Sequence, residues 1–217
     1  MIKGTPELIA ERREEIVNAC ERLYKTMSFR DITLKEIGNE VPFSRPTIYN
    51  YFNTKEEIFL ALFKREYDRW NSDLDDILNT SDDPGKDGIA ALIARSLEKR
   101  PQLLKLLSMN NYDMEANSRE EILTSFKLSY GRSLENIRRI LEKFCRDMDA
   151  ERINGFIYAF FPFMFGIYPY TSVTEKQRAA MKTAGIEYRY MSIYEITYEC
   201  VSTLLGEGKR EAEHGIR

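Results

Sequence analysis

The run TLKEIGNEVPFSRPTIYNYFNTK, from Thr33 to Lys55, constrains this chain more than any other stretch. Two short helical patterns meet in it across a tight break. The first opens on Thr33 with Glu36 three residues later, the spacing of a capping box. Leu34, Ile37 and Val41 supply its apolar face. Pro42 disfavours helical backbone at Val41, so this helix is expected to end near Glu40. The second pattern opens on Ser44 as N-cap, with Pro46 in the first turn, where a missing N–H costs little. With Ile48 at the centre of its buried face, Phe52 follows one turn on, and Pro46, Thr47, Tyr49 and Asn50 are left pointing outward or sideways. This is a helix-turn-helix pattern, expected over about residues 33–52, with Ser44–Phe52 as the helix shaped to enter a DNA major groove.

Charge limits how such a helix could hold DNA. The chain has 217 residues and a net charge of -3, so the strongly basic footprint of many nucleic-acid binders is missing. Contacts must come from locally placed cations. An apolar share of 43% and a charged share of 31% suit a globular protein with a real core. Cys20, Cys145 and Cys200 are far apart inside helical patterns and read as reduced thiols in apolar positions. The one histidine, His214, sits in a polar tail, so neither a metal site nor a histidine mechanism is expected. No nucleophile–base pair, metal cluster or phosphate loop supports an enzyme, and no cofactor is expected. No apolar run reaches the roughly 20 residues that span a bilayer. The N-terminus, MIKGTPELIAERREEI, reads as an amphipathic helix start and not a signal peptide, so the expected location is cytoplasmic.

Helical periodicity continues along the chain. A first helix is expected over Pro6–Thr26, with Thr5 as N-cap. A fourth opens at Thr54 with Glu57 three residues on and runs to about Asn79, carrying Ile58, Phe59, Leu62, Phe63, Tyr67, Trp70, Leu74 and Ile77 as one stripe. TSDDPGKDG is the clearest break. Further helices are expected at about 86–99, 101–108, 119–144, 150–168, 174–184 and 188–205. NNYDMEANS reads as a loop and GEGKREAEHGIR as a frayed tail. The expected fold is all-α, about nine helices. A three-helix DNA-binding domain over residues 5–65 is joined by the long fourth helix to a larger helical-bundle domain over residues 66–210.

Three motifs carry a family resemblance: ITLKEIG, SRPTIYNYF and NTKEEIFLAL. On them, the N-terminal 65 or so residues resemble the TetR family of bacterial transcriptional regulators. Beyond residue 80 the resemblance implies a domain for ligand binding and dimerisation. Ser28, Pro42 and Pro46 stand where the family often has glycine. The two prolines stiffen the turn and the start of the reading helix, so base contacts near residue 46 are not carried over.

The chemistry of the reading site follows from the residue types. A helix N-terminus presents free N–H groups and partial positive charge, where phosphate binds readily. Ser44 and Thr47 add hydroxyls, and Thr33 does so at the second helix. Tyr49 and Tyr51 can donate to phosphate oxygens, and Lys55 is a point charge at the start of the fourth helix. Such contacts position a protein without reading sequence. Arg45 is the candidate for base readout, since a guanidinium can bond O6 and N7 of guanine together. Asn50 meets an adenine edge or a phosphate. Plainer readings stay open: Tyr51 packs in the core, Thr33 and Ser44 are caps with or without DNA, and Arg45 pairs with Glu40 or Glu56.

The expected partners are a palindromic double-stranded operator, a second copy of the chain and a small-molecule effector, with no membrane. Major-groove readers of this kind act as two-fold dimers on half-sites about 34–36 Å apart. Interface candidates are Phe160 and Met164 on one late helix, with Met191, Tyr194, Thr197, Tyr198, Val201 and Leu204 around the last; the alternative is internal core. Trp70, Leu103, Leu107, Phe126, Tyr130, Phe161, Phe165 and Tyr168 are the candidates for an apolar, aromatic effector pocket. Each of them taken singly suits plain core packing. The expected function is a repressor released by a hydrophobic or aromatic effector. The alternatives are an activator of the same family, or a helical protein–protein adaptor that uses residues 44–55 as its binding surface.

Overall fold

The computed structural model describes residues 5–109 and 111–206. Among these the chain is all-helical, with no strand. Eleven helices follow one another: α1 (Pro6–Thr26), α2 (Leu34–Asn39), α3 (Arg45–Ile48), α4 (Lys55–Leu78), α5 (Gly85–Glu98), α6 (Pro101–Leu107), α7 (Asn111–Ala116), α8 (Glu120–Phe144), α9 (Ala150–Thr171), α10 (Glu175–Thr183) and α11 (Ile193–Leu205). His214 and the tail beyond Gly206 lie outside the described residues. Among the described residues no single helix is long and apolar enough to cross a membrane.

Caps set most boundaries. The Thr5 hydroxyl accepts from the N–H of Leu8, and Thr33 accepts from Lys35 and Glu36. The Thr54 hydroxyl accepts from the N–H of Glu57 at 3.2 Å. Complete capping boxes open α10 at Thr174 and Gln177 and α11 at Ser192 and Glu195. The box at Ser192 explains why α11 begins at Ile193 and not near Tyr188. Gly185 closes α10 in the left-handed region, φ +68°, where a Cβ would be strained.

Three further elements differ from expectation. The reading helix is a single turn, Arg45–Ile48, followed by tight turns to Phe52. Part of NNYDMEANS forms α7, too short for its periodicity to show. And α9 runs to Thr171 through both Pro162 and Pro169. Each proline frees the carbonyl four residues earlier, those of Tyr158 and Phe165. Both residues are exposed, so water can satisfy the freed groups.

The described chain forms two compact units. Residues up to Arg69, together with Met109–Arg132, make the first; Trp70–Ser108, together with residues from Ser133 on, make the second. The division therefore falls inside α4 and inside α8. The first unit buries Ile16, Cys20 and Tyr24 of α1 with Ile32, Ile37, Ile48, Phe52, Phe59 and Phe63. Its second stretch of chain adds Phe126, 4.9 Å from the Phe63 ring, and Ser129, whose hydroxyl donates to Asp68 at 2.6 Å. In the second unit α5 packs along α11, and α6 along α9. Trp70, fully buried, meets the Phe161 ring at 6.0 Å and donates from Nε1 to the Ser96 hydroxyl at 2.9 Å.

Trp70 is the chain's one tryptophan, so its emission reports the second unit. Trp70→Phe should cost about 1–3 kcal/mol, through the lost hydrogen bond and the space the smaller ring leaves. Urea denaturation followed by circular dichroism checks this. An unchanged midpoint would mean that neither term contributes.

Candidate nucleic-acid interface

The reading segment is held from beneath. Ile48 and Phe52 are fully buried, and α2 approaches α3 closely at Gly38. A Cβ at residue 38 would sit 3.3 Å from the Arg45 Cβ and 3.6 Å from Ile48 Cδ1, so glycine there lets the two helices cross. Nothing in the periodicity singled Gly38 out. The Arg22 guanidinium ties α1 to the end of α2, donating to the Glu40 carbonyl at 3.0 Å.

On the outer side, Arg45, Pro46, Tyr49 and Asn50 are exposed, and Thr47 is partly so. Glu40 is engaged by Arg22, and Arg45 makes no hydrogen bond or ion pair to any described residue. Its guanidinium is therefore available. Tyr49 leaves 48% of its surface to solvent, a large aromatic half open to a partner. The free N–H groups expected at this helix start are few. Pro46 has none, and the Thr47 N–H is taken by the Ser44 carbonyl at 2.8 Å. The Ser44 and Thr47 hydroxyls lie 3.0 Å apart, bonded to each other and facing solvent. Thr33 is exposed, and its hydroxyl caps α2 while donating to Glu36.

Two candidates are placed differently from the others. Tyr51 is buried, 5% exposed, and points into the first unit. Lys55 donates from Nζ to the carbonyls of Phe29 at 2.9 Å and Ile32 at 3.2 Å, and lies 4.1 Å over the Phe29 ring. Its charge anchors the turn before α2.

The turn after α3 draws groups from elsewhere in the chain. The Tyr51 carbonyl accepts from Arg13 Nη1 and from Arg119 Nη2, both at 3.2 Å. The Glu57 carboxylate, 1% exposed, accepts from the Asn53 N–H at 2.7 Å and from Arg119 Nε and Nη2 at 2.7 and 2.8 Å. Burial pushes this carboxyl up, but the Arg119 guanidinium and the N–H groups of Asn53 and Arg119 outweigh it and hold it below the ordinary carboxylate range. Neither Glu57 nor Arg119 could be recognised as part of the site from sequence, because the pair lies 62 residues apart.

The eight effector-pocket candidates do not fall in one unit. Phe126 and Tyr130 lie in the first, both against Tyr67. Trp70, Leu103, Leu107, Phe161, Phe165 and Tyr168 lie in the second, where the first four are buried and Phe165 is exposed. A separate apolar groove of about 460 Å³ opens between the end of α9, α10 and the segment before α11, lined by Pro169, Tyr170, Val173, Met181, Tyr188 and Tyr190 among others. Of the interface candidates, Phe160, Met164, Thr197 and Val201 are fully buried within the single chain and present no surface to a second one. Met191, Tyr194, Tyr198 and Leu204 are partly exposed. The α9 face that is open to solvent carries Tyr158, Pro162, Phe165 and Pro169 instead, with Tyr158 80% exposed.

Comparison with known proteins agrees with this architecture. Residues 16–62 match the tetR family of bacterial regulatory proteins, and residues 64–205 match a tetracyclin repressor-like C-terminal domain. The chain is 29% identical over 69 residues to the HTH-type transcriptional regulator HbdR of Aromatoleum sp. (strain CIB), covering 32% of this chain and 30% of that one. It is 27% identical over 107 residues to the HTH-type transcriptional activator FasR of Mycolicibacterium smegmatis, covering 48% and 49%. The match thus spans between 30% and 49% of the length of these curated relatives. Thermus thermophilus FadR, described as a TetR-family repressor in complex with lauroyl-CoA, shares the fold with a TM-score of 0.58 over 93% of this chain and 97% of that one, at 18% identity.

Glu57 gives a pH signature. A carboxyl held below its ordinary value of 4.5 contributes stability that is present above that value and lost as pH falls through its depressed one. At pH 7, Glu57→Gln should cost about 1–3 kcal/mol, discounted because the Arg119 guanidinium is partly in solvent. The gap to the parent protein should narrow as pH drops below 4.5. Urea midpoints across that range check it, and a gap that stayed constant would show that Glu57 is not held ionised by its partners.

Proposed function

Because this chain belongs to the TetR family of bacterial regulatory proteins, DNA-binding regulators of transcription, we propose that it is a cytoplasmic homodimeric repressor, released from its operator by a small hydrophobic or aromatic effector. Residues 5–65 are the proposed DNA-binding domain, and residues 66–210 the effector-binding and dimerisation domain. One observation carries the DNA reading. A short segment anchored by Ile48 and Phe52 turns an unpaired Arg45, with Tyr49 and Asn50, toward solvent. Arg45 reads a guanine edge. Thr33, Ser44, Thr47, Tyr49 and Asn50 position the segment on phosphates. Tyr51 and Lys55 support it from within the unit.

The dimer proposal rests on the open apolar face of α9, with Tyr158 and Phe165, and on the partly exposed Met191, Tyr194, Tyr198 and Leu204. The effector class rests on the aromatic and aliphatic side chains of the second unit, and the α9–α10 groove is of ligand size. Effector binding would favour a conformer in which α4, which contributes to both units, shifts and takes the reading segments off the groove spacing. The match to an activator, FasR, keeps activation as the second reading.

A gel shift with the DNA upstream of the protein's own reading frame tests the function. The expected result is a discrete complex that survives excess random-sequence competitor; binding that competitor abolishes would contradict it. Arg45→Ala should cost about 1–3 kcal/mol at one operator base pair. A loss shared equally by every sequence would remove its base-reading role. In sedimentation at micromolar concentration the chain should run as a dimer and Tyr158→Arg as a monomer, without loss of fold, since Tyr158 is exposed in the single chain. A monomeric parent protein would end the interface proposal.

A further inference from the structure

The turn that follows the reading helix is not secured by the helix-turn-helix itself. α3 ends at Ile48, and the backbone reaches Phe52 through bonds of the Asn50, Tyr51 and Phe52 N–H groups to Thr47 and Ile48. The next polar groups, the Tyr51 carbonyl and the Asn53 N–H, are met by side chains from outside the turn. Each finds its partner in the same place. The Asn53 N–H goes to Glu57, and the Tyr51 carbonyl goes to Arg119, which also forks onto both Glu57 oxygens. The Arg119 backbone N–H adds a bond to Glu57 at 3.2 Å, and the Thr54 hydroxyl donates to the Asn117 carbonyl at 3.1 Å. All of these residues belong to the first unit.

From this geometry we infer that Arg119 is a positioning residue for DNA reading. Through Glu57 and the Tyr51 carbonyl it locks the turn behind α3, so that the start of α8 sets whether Arg45, Tyr49 and Asn50 stand in a pose that fits the groove. The inference rests on the DNA-binding reading above and adds to it a control point outside the motif.

Three features support it. Glu57 is a fully buried carboxylate, and such a group stays charged only where several donors meet it. Two guanidiniums, Arg13 and Arg119, converge on one carbonyl, an arrangement of like charges that the Glu57 carboxylate makes tolerable. And Arg119 caps α8 with its own backbone: its carbonyl accepts from the N–H groups of Ile122 and Leu123 at 3.1 and 3.0 Å. A rotation or slide of the first turn of α8 therefore moves the Arg119 fork off Glu57 and Tyr51. α8 continues to Phe144 and contributes to the second unit, so this is a route by which an effector there could weaken DNA binding without touching the reading helix.

Two readouts on the full-length chain test the proposal, with Arg119→Ala, Arg119→Gln (which keeps one donor for Glu57) and Arg119→Lys. The first is amide hydrogen exchange without DNA. Peptides covering residues 49–54 should exchange about tenfold faster in Arg119→Ala, with those of α5 and α11 unchanged. The second is affinity for a duplex selected by the parent protein. If the locked pose is populated only about a tenth of the time without the fork, affinity should fall about tenfold. Binding to random-sequence DNA and the salt dependence should stay as they were, because Arg119 is not assigned a phosphate. Lysine should not restore the affinity, since one ammonium cannot serve both Glu57 oxygens and the Tyr51 carbonyl together. Parent-like exchange with selected-duplex affinity within about twofold, the scale of ordinary additivity error, would overturn the role. So would a loss that random-sequence DNA shares equally or that tracks thermal unfolding. If exchange accelerates but the parent protein selects no duplex at all, the lock stands as structure, and it is the DNA reading that fails, taking the positioning role with it.

Discussion

The Glu57 carboxylate is charged and out of water just behind the reading segment, and groups from two distant stretches of the first unit make its burial tolerable. An ionised carboxylate in a low-dielectric interior is strongly unfavourable unless nearly all of its lone pairs are met. Four donor groups meet this one: the Asn53 N–H and three from Arg119. To deliver them, the chain after the reading helix must turn at Asn53, and residues 117–119 must return to the start of α4. The stretch Met109–Arg132, which carries Arg119, belongs to the same compact unit as α1–α3, although residues 70–108 of the other unit intervene in sequence.

That arrangement compensates for a reading helix of one turn. A helix this short has almost no backbone ladder of its own and little macrodipole to offer an anion. Its conformation comes from the burial of Ile48, Tyr51 and Phe52 beneath it, from the close crossing at Gly38 and from the locked turn behind it. The surface left over is small and chemically mixed: one free guanidinium, two hydroxyls bonded to each other, an open phenol and an amide. In a chain of net charge -3 such a surface favours affinity that depends on shape and on a few directed contacts over bulk electrostatic attraction.

How much of this was legible in the sequence follows from the range of the interactions involved. Caps are local, and Thr5, Thr33, Thr54 and Thr174 were readable from residues three or four apart. The helix-turn-helix was readable because Ile48 and Phe52 repeat at helical spacing below an otherwise polar segment. Tyr51 and Lys55 carry the right chemistry for phosphate, yet burial engages the one and two neighbouring carbonyls the other within the protein. The lock at Glu57 was not readable, because Arg119 is remote in sequence and an arginine before an acidic helix start has no distinctive pattern. An all-round apolar helix likewise conceals which side is open. α9 buries Phe160 and Met164 and exposes Tyr158 and Phe165, and only packing decides between them.

Sequence-specific duplex recognition by the segment 44–50 is the central proposal for this chain. The most direct measurement is selection from a pool of random duplexes by the full-length protein, with the retained fraction sequenced. The expected result is enrichment of one inverted repeat whose half-sites lie about one helical turn, or a multiple of it, apart. Arg45→Ala should relax a single base position in each half. A retained pool no different in sequence from the input would contradict it.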